Sequence, residues 1–259
     1  MKNSLPSLAQ IVEGQIILID KPLNWTSFDA VNKLKYQIQT KIGHCGTLDP
    51  LATGLLICCT GKMTKQIQYL QREDKEYIAE IQLGATTASY DLETEPENHK
   101  EWAFLNKKEI ITTIKGFLGQ QEQIPPAHSA IKKDGVRAYK LARAGKEVKM
   151  NPRIVDFYAL EPIQIDLEKG QINLRIHCST GTYIRSFAHD LGQKLNTGAY
   201  LSGLRRTKVG DYHIGNASSI EHWVEHLEEQ NKLFPEIGER EREERRRNKQ
   251  NKKFTRNRK

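Results

Sequence analysis

The stretch "KIGHCGTLDPLATGLL", residues 41–56, carries one acidic side chain, Asp49, between Leu48 and Pro50 among glycines and aliphatics. No second carboxylate and no set of metal ligands stands beside it in the sequence. Gly46 admits backbone conformations closed to other residues, Pro50 stiffens the loop, and His44 is close by. A carboxylate in such surroundings must be paired, hydrogen-bonded or neutralised, because an uncompensated buried charge is costly. Two readings fit. Asp49 is either a positioned nucleophile or base, or the N-cap of a helix beginning at Pro50, and the loop by itself favours the cap.

Upstream, "GQIILIDKP" reads as a short apolar strand ending at a proline-marked turn. "TSFDAVNKLKYQI" opens with a capping box, Thr26 and Asp29, and sets Phe28, Val31, Leu34 and Ile38 along one helical face. Downstream, "GLLICCT" is a buried strand broken by Gly61, "MTKQIQYLQ" is helical, and "KEYIAEIQLG" alternates as a half-buried strand. Residues 86–101 are polar, acidic and irregular. "NKKEIITTIKGFLG" is a helix stopped by glycine, and the two prolines of "QIPPAHSA" demand an extended loop. Strands follow around "VDFYALEPIQIDLE" and "GQINLRIHC". "STGTYIRSFAHDLGQKL" is a glycine turn into a helix, "GLRRTKVGDYHIG" a turn into a strand, and "SSIEHWVEHLEE" the last helix. Strands and helices do not alternate strictly, so the spacing predicts an α+β fold on a mainly antiparallel or mixed sheet flanked by helices.

Of the 259 residues 37% are hydrophobic, ample for a sizeable core. The longest aliphatic and cysteine run, Leu55–Cys59, is far short of the about 20 residues that span a bilayer. The N-terminal residues lack the apolar core and cleavage site of a signal peptide. Cys45, Cys58, Cys59 and Cys178 follow neither a disulfide nor a metal-site spacing, so reduced thiols in the cytoplasm are expected. The formal net charge is +8, but residues 239–259 hold eleven Lys/Arg against four Glu, a net of +7. Residues 132–149 add a local +5. Charge this segregated points to a polyanionic partner gripped by particular segments, although a solvated surface fits each run alone. "HWVEH", residues 222–226, matches a short inverted zinc-peptidase pattern, but no third ligand follows and a solvated helix face is the preferred reading.

"GHCGTLDPLATGLL" resembles the catalytic motif of the TruB family of tRNA pseudouridine synthases. "LIDKPLNWTSFDAV" is similar to that family's N-terminal signature, with Asn24 where glycine is usual. "KEYIAEIQLGATTASYD" resembles its tyrosine-bearing strand, and "QIPPAHSAIKKDGVRAYKLARAG" its RNA-gripping insertion. "GTYIRSFAHDLG" and "YLSGLRRTKVG" resemble the last two motifs, in order, so the likeness covers roughly residues 14 to 215. It implies that uridine-55 in the TΨC loop of tRNA is isomerised to pseudouridine without cofactor or metal.

The same resemblance implies roles for residues. Asp49 matches the catalytic carboxylate and Arg185 the arginine that pairs with it. Tyr77 matches the tyrosine stacking on the target base, Tyr183 a substrate contact, Leu204 an apolar contact to the base, and His44 a residue for binding and flipping it. Lys21 and Pro22 would support the site. Lys132, Lys133, Arg137, Lys140 and Arg143 would face phosphates. Apart from the resemblance, Tyr77 and Leu204 read as ordinary core residues and Arg185 as a phosphate-binding or surface residue. A non-catalytic RNA-binding protein on the same scaffold is the competing reading.

The resulting expectation is a catalytic domain over 1–238, with the insertion at about 124–152, and a disordered basic tail over 239–259. Many members of the family carry a C-terminal RNA-binding PUA domain, which is expected here to be absent or much reduced. The chain is expected to act as a monomer on tRNA, with no obligatory protein partner and no membrane. Deleting residues 239–259 is expected to weaken tRNA binding at moderate salt, measured by filter binding; unchanged affinity would leave the tail a solubility role.

Overall fold

Helix α1 (Leu8–Gly14) starts on a capping box in which Ser7 and Gln10 satisfy each other's backbone N–H groups. Strand β1 (Ile16–Lys21) follows, alternating half-buried and buried residues. The computed structural model describes residues 5–38, 40–133, 135–237 and 247. Two units emerge, residues 1–72 with 211–259, and residues 73–210. The expected tail over 239–259 lies outside the described residues, Arg247 apart.

In the first unit, α2 (Ser27–Ile38) carries the expected capping box: the backbone N–H of Thr26 reaches the Asp29 carboxylate at 2.9 Å and that of Asp29 reaches the Thr26 hydroxyl at 3.0 Å. The expected inward face is corrected at Phe28, which is 64% exposed. Ser27, Ala30, Leu34 and Ile38 define the buried face, and Phe28 is about 100° around the helix from Ser27. Strand β2 (Ile42–His44) pairs antiparallel with β3 (Ala52–Thr60), which in turn pairs antiparallel with β1, Ile16 opposite Cys59 and Lys21 opposite Gly54. All of β3 but Thr53 is buried. Each of its leucines and its isoleucine contributes about 1.5–3 kcal/mol by leaving water. A 3-10 turn from Gly61 leads to the short α3 (Ile67–Leu70).

The second unit opens with β4 (Lys75–Leu83). The irregular segment after it is anchored by Trp102, whose indole N–H donates to the Leu167 carbonyl at 2.9 Å. That ring lies so close to Gly84 and Gly170 that a Cβ at either would come within 2.4 or 2.8 Å of it. Then follow α4 (Lys107–Lys115), β5 (Gly119–Gln123), the hairpin of β6 (Lys132–Lys133) and β7 (Val136–Arg137), and α5 (Ala138–Arg143). The unit ends with β8 (Arg153–Asp166), β9 (Gln171–Cys178), α6 (Ile184–Lys194) and β10 (Ala199–Val209). Its sheet runs β10-β4-β9-β8-β5, antiparallel throughout. Helix α6 packs on β10 and β4. Phe187 of α6 meets Phe117 and Phe157 with ring centroids 5.0 and 5.2 Å apart. The expected turn within "GLRRTKVGDYHIG" is also corrected: Gly203–Val209 lies inside β10, and the turn comes at Gly210.

The chain then returns to the first unit through β11 (Tyr212–His213), β12 (Ser218–Ser219) and α7 (Ile220–Leu233). Strand β12 pairs parallel with β1, which makes that sheet mixed. On α7 the reading of "HWVEH" as a solvated face holds for His222 and Glu225 but not for the rest. Trp223 is buried with its indole N–H on the Leu18 carbonyl at 3.0 Å, and His226 Nε2 lies 2.8 Å from the Pro6 carbonyl oxygen. Among the described residues no helix is long and apolar enough to cross a membrane.

Burial pushes the Asp190 carboxyl on α6 up to about 6, only partly offset by the charge of Lys194. The folded state thus holds a proton that the unfolded chain releases near 3.8, and this contribution to stability is lost as pH rises through about 6. Asp190→Asn should therefore raise stability at pH 7.5 by about 1 kcal/mol, allowing for the group's partial exposure, and change it little at pH 4. Urea midpoints at the two pH values measure this.

Candidate active site

Asp49 does not cap a helix. The backbone N–H of Ala52 donates to the Asp49 carbonyl at 3.0 Å, closing a turn whose last residue starts β3, so the sequence 49–52 enters a strand. The N-cap reading is overturned because the residues after Pro50 pair with β1 and so extend. Asp49 is half-buried beside the buried Leu48 and Ala52.

Three residues fix this loop from the β1–α2 side. Lys21, wholly buried, points its ammonium at the carbonyl oxygens of Pro22 (2.9 Å), Trp25 (2.6 Å) and Pro50 (3.5 Å). The Ser27 hydroxyl accepts from the Leu48 N–H at 2.8 Å and donates to the Leu48 carbonyl at 3.1 Å. Asn24 donates its backbone N–H to the Pro50 carbonyl at 2.9 Å from a left-handed conformation, φ 63°. Glycine takes that conformation freely and asparagine is the next most tolerant, so the departure from the family signature preserves the turn. Gly46, with φ 88°, needs its glycine as expected. His44 sits in β2 opposite Cys58, and Cys45 Sγ lies 3.6 Å from Cys59 Sγ; the four cysteines are buried thiols.

The second unit holds the other expected residues. Tyr77 of β4 lies opposite Arg206, and Leu204 of β10 opposite Ala79. The alternation of a strand puts Tyr77, Ala79, Leu204 and Arg206 on one sheet face. Next to Tyr77, burial and then the like charge of Arg206 push the Lys75 ammonium down to about 8. Tyr183 precedes α6, clamped by Gln123: its N–H donates to the Gln123 amide oxygen at 2.8 Å and its carbonyl accepts from the amide nitrogen at 3.1 Å. The Arg153 guanidinium covers the Tyr183 ring, 5.4 Å from its centroid. Lys132 is exposed on the β6–β7 hairpin.

Arg185 is almost fully buried. Its Nη1 donates to the Ser89 carbonyl at 3.2 Å, its Nη2 to the His128 carbonyl at 3.0 Å, and its Nε lies 3.5 Å from the Asp91 carboxylate. Breaking one side of such a buried pair costs about 3–5 kcal/mol. The surface reading of Arg185 is thereby excluded. Asp91 carries no signal in the sequence, because an acid in a polar, irregular segment looks like solvated surface. Its turn is shaped by Tyr90, held left-handed at φ 64° while its ring stacks on His189 at 3.9 Å between centroids. Bulky residues persist there only where the surroundings fix them.

A family model described as TruB family pseudouridylate synthase (N terminal domain) matches residues 33–184, and one described as tRNA pseudouridylate synthase B C-terminal domain matches residues 185–236. The tRNA pseudouridine synthase B of Flavobacterium johnsoniae is 50% identical over 227 residues, 85% of this chain and 98% of that protein. That of Phocaeicola vulgatus is 46% identical over 225 residues, 84% of this chain and 95% of that protein. Among solved structures, a chain of a Cbf5-Nop10-Gar1 complex is similar at TM-score 0.64 and 28% identity over 85% of this chain. A chain of the archaeal box H/ACA sRNP Nop10-Cbf5 complex gives 0.62 and 26% over 84%. This chain spans 56% and 54% of those two, about half their length.

The left-handed turn gives a direct test. Asn24→Gly should leave stability within about 0.5 kcal/mol of the wild type, whereas Asn24→Val should lose about 1–3 kcal/mol, read from urea unfolding.

Proposed function

The chain belongs to the TruB family of pseudouridylate synthases, isomerases that act on RNA, and we propose that it converts uridine-55 of the tRNA TΨC loop to pseudouridine with Asp49 as the reacting carboxylate. The reaction breaks the N1–C1′ bond of the nucleotide, turns the uracil and joins C5 to C1′. Substrate and product are isomers, so the atoms and electrons balance within the nucleotide. One carboxylate suffices: it acts first as nucleophile or sugar-proton base and later assists removal of the C5 proton. Hydrolytic glycosidases need two carboxylates because they activate water, which this reaction must exclude.

The observation that carries this reading is the Asp49 loop, a single carboxylate on a turn pinned by a buried ammonium, a buried hydroxyl and a left-handed asparagine. So much fixed backbone around one side chain is what pre-organised chemistry requires. Arg185 is assigned to holding the aspartate ionised and oriented, with Asp91 positioning Arg185. Tyr77 is assigned to stacking on the flipped base, worth about 1–3 kcal/mol against the few kcal/mol that flipping costs. Leu204 packs on the base, Tyr183 and His44 bind the nucleotide, and Lys21 supports the loop. Lys132, Lys133, Arg137, Lys140 and Arg143 meet phosphates, and the purified chain needs no protein partner for catalysis.

Asp49→Asn should cut pseudouridine formation on a TΨC stem–loop transcript by roughly 10³-fold or more while leaving its binding within about threefold. Pseudouridine mapping and filter binding measure the two. A transcript that wild type and variant bind alike but neither modifies would favour the non-catalytic scaffold.

A further inference from the structure

Arg185 belongs to a closed ring of contacts that runs through a residue with no role in the reading above. Asp91 presents one carboxylate oxygen to Arg185 Nε, and its other oxygen accepts the backbone N–H of Glu93 at 3.0 Å. The Glu93 carboxylate lies 3.1 Å from His128 Nδ1, and the His128 carbonyl accepts from Arg185 Nη2 at 3.0 Å. Two paths therefore join Glu93 to the same guanidinium, one through its backbone and one through its side chain. The same carboxylate oxygen also takes a hydrogen bond from Arg143 Nε at 2.8 Å.

Arg143 ends α5 in the basic insertion, and His128 sits at the insertion's root. The insertion folds back on that root: the N–H groups of Ala138 and Tyr139 donate to the carbonyls of Ile131 and Ser129 at 2.8 and 3.0 Å. The Arg143 guanidinium lies over the Tyr139 ring, 5.1 Å from its centroid. An exposed Glu–Arg pair would be worth little by itself. Here the His128 side chain is only 10% exposed and the Glu93 side chain 28%, so the His128 branch is screened far less. Burial alone would raise the Glu93 carboxyl, yet the hydrogen bonds and charges of Arg143 and His128 bring it below its ordinary value. It is thus ionised and committed to both partners.

We propose that Glu93 is a positioning residue, which links the folded insertion to Arg185 by holding the His128 carbonyl under the guanidinium and Asp91 beside it. The inference rests on the role assigned to Arg185. It makes the seating of the RNA-gripping insertion a condition for a correctly aimed arginine, so that part of the binding energy is used in orienting the site.

The test compares wild type with Glu93→Ala, Glu93→Gln and Glu93→Asp in single-turnover modification of a saturating TΨC stem–loop and in equilibrium binding of the same RNA. Glu93→Ala should slow the saturated rate on the order of tenfold, as removal of an outer group that orients an inner one does, with affinity within about threefold. Glu93→Gln keeps an acceptor oxygen and should recover to within about threefold of wild type. Glu93→Asp keeps the charge but is too short to reach both partners, and it should slow the rate severalfold even if the alanine variant fails to fold. A wild-type rate in the alanine or aspartate variant, no recovery in the glutamine variant, or a loss confined to affinity would each overturn this inference alone. Failure of the wild type to modify the RNA would overturn the reading of the site, and this inference with it.

Discussion

An ammonium that no solvent reaches must have its hydration replaced by protein oxygens, and the three carbonyls around Lys21 do this. Two belong to the turn between β1 and α2 and the third to the turn that carries Asp49. The loop's conformation follows from satisfying that one charge. With Pro50 drawn to the β1–α2 turn, Asn24 must swing left-handed to offer its N–H, and Ser27 must face inward to take both backbone groups of Leu48. Phe28 is displaced to the surface as a result. Replacing Lys21 by an apolar residue would take this donor from the Pro22 and Trp25 carbonyls, at a cost of about 1–3 kcal/mol for each one left buried and unsatisfied, while the Pro50 carbonyl keeps the Asn24 N–H.

The second unit solves a similar problem with a different cation. Arg185 also gathers irregular backbone, taking the Ser89 and His128 carbonyls from two loops that no strand pairing joins. Its planar fork can satisfy two carbonyls and still direct Nε at a carboxylate, which a lysine's single nitrogen cannot do in fixed geometry. The strained Tyr90 and its stack on His189 belong to the same construction, since the turn they shape delivers both Ser89 and Asp91. In both units the regular elements supply a rigid frame, while a buried cation decides the course of the segments that carry chemistry.

What the sequence made legible was whatever repeats with the period of a helix or a strand. The burial of β3, the alternation of β4 and the capping box of α2 are local, and each was readable from neighbours a few residues apart. The placement of Phe28 was not, because it depends on a serine bonding to a loop twenty-one positions away. Nor was the turn after Asp49. Asp-Pro fits an N-cap equally well on local grounds, and only pairing with β1 makes the following residues extend. The "GLRRTKV" run failed similarly: its glycine suggests a turn, yet the strand absorbs it where its register slips between Leu201 and Gly203. Asp91 and Glu93 were invisible for a different reason. Their partners, Arg185, His128 and Arg143, are 35 to 94 positions away in sequence, and no spacing rule connects a polar loop to them.

The first unit is assembled from both ends of the chain, whereas the second is one continuous stretch from Glu73 to Gly210. On the ribosome, the strands β4 to β10 are therefore all made before β12 and α7 exist. Strand β1 emerges early but waits for its parallel neighbour β12 and for the Trp223 indole that covers the Leu18 carbonyl. The N-terminal segment, with its apolar β1 and β3, must pass the longest part of translation without the helix that completes its core. This makes the nascent protein most exposed to chaperone capture and misassociation just before β12 and α7 appear.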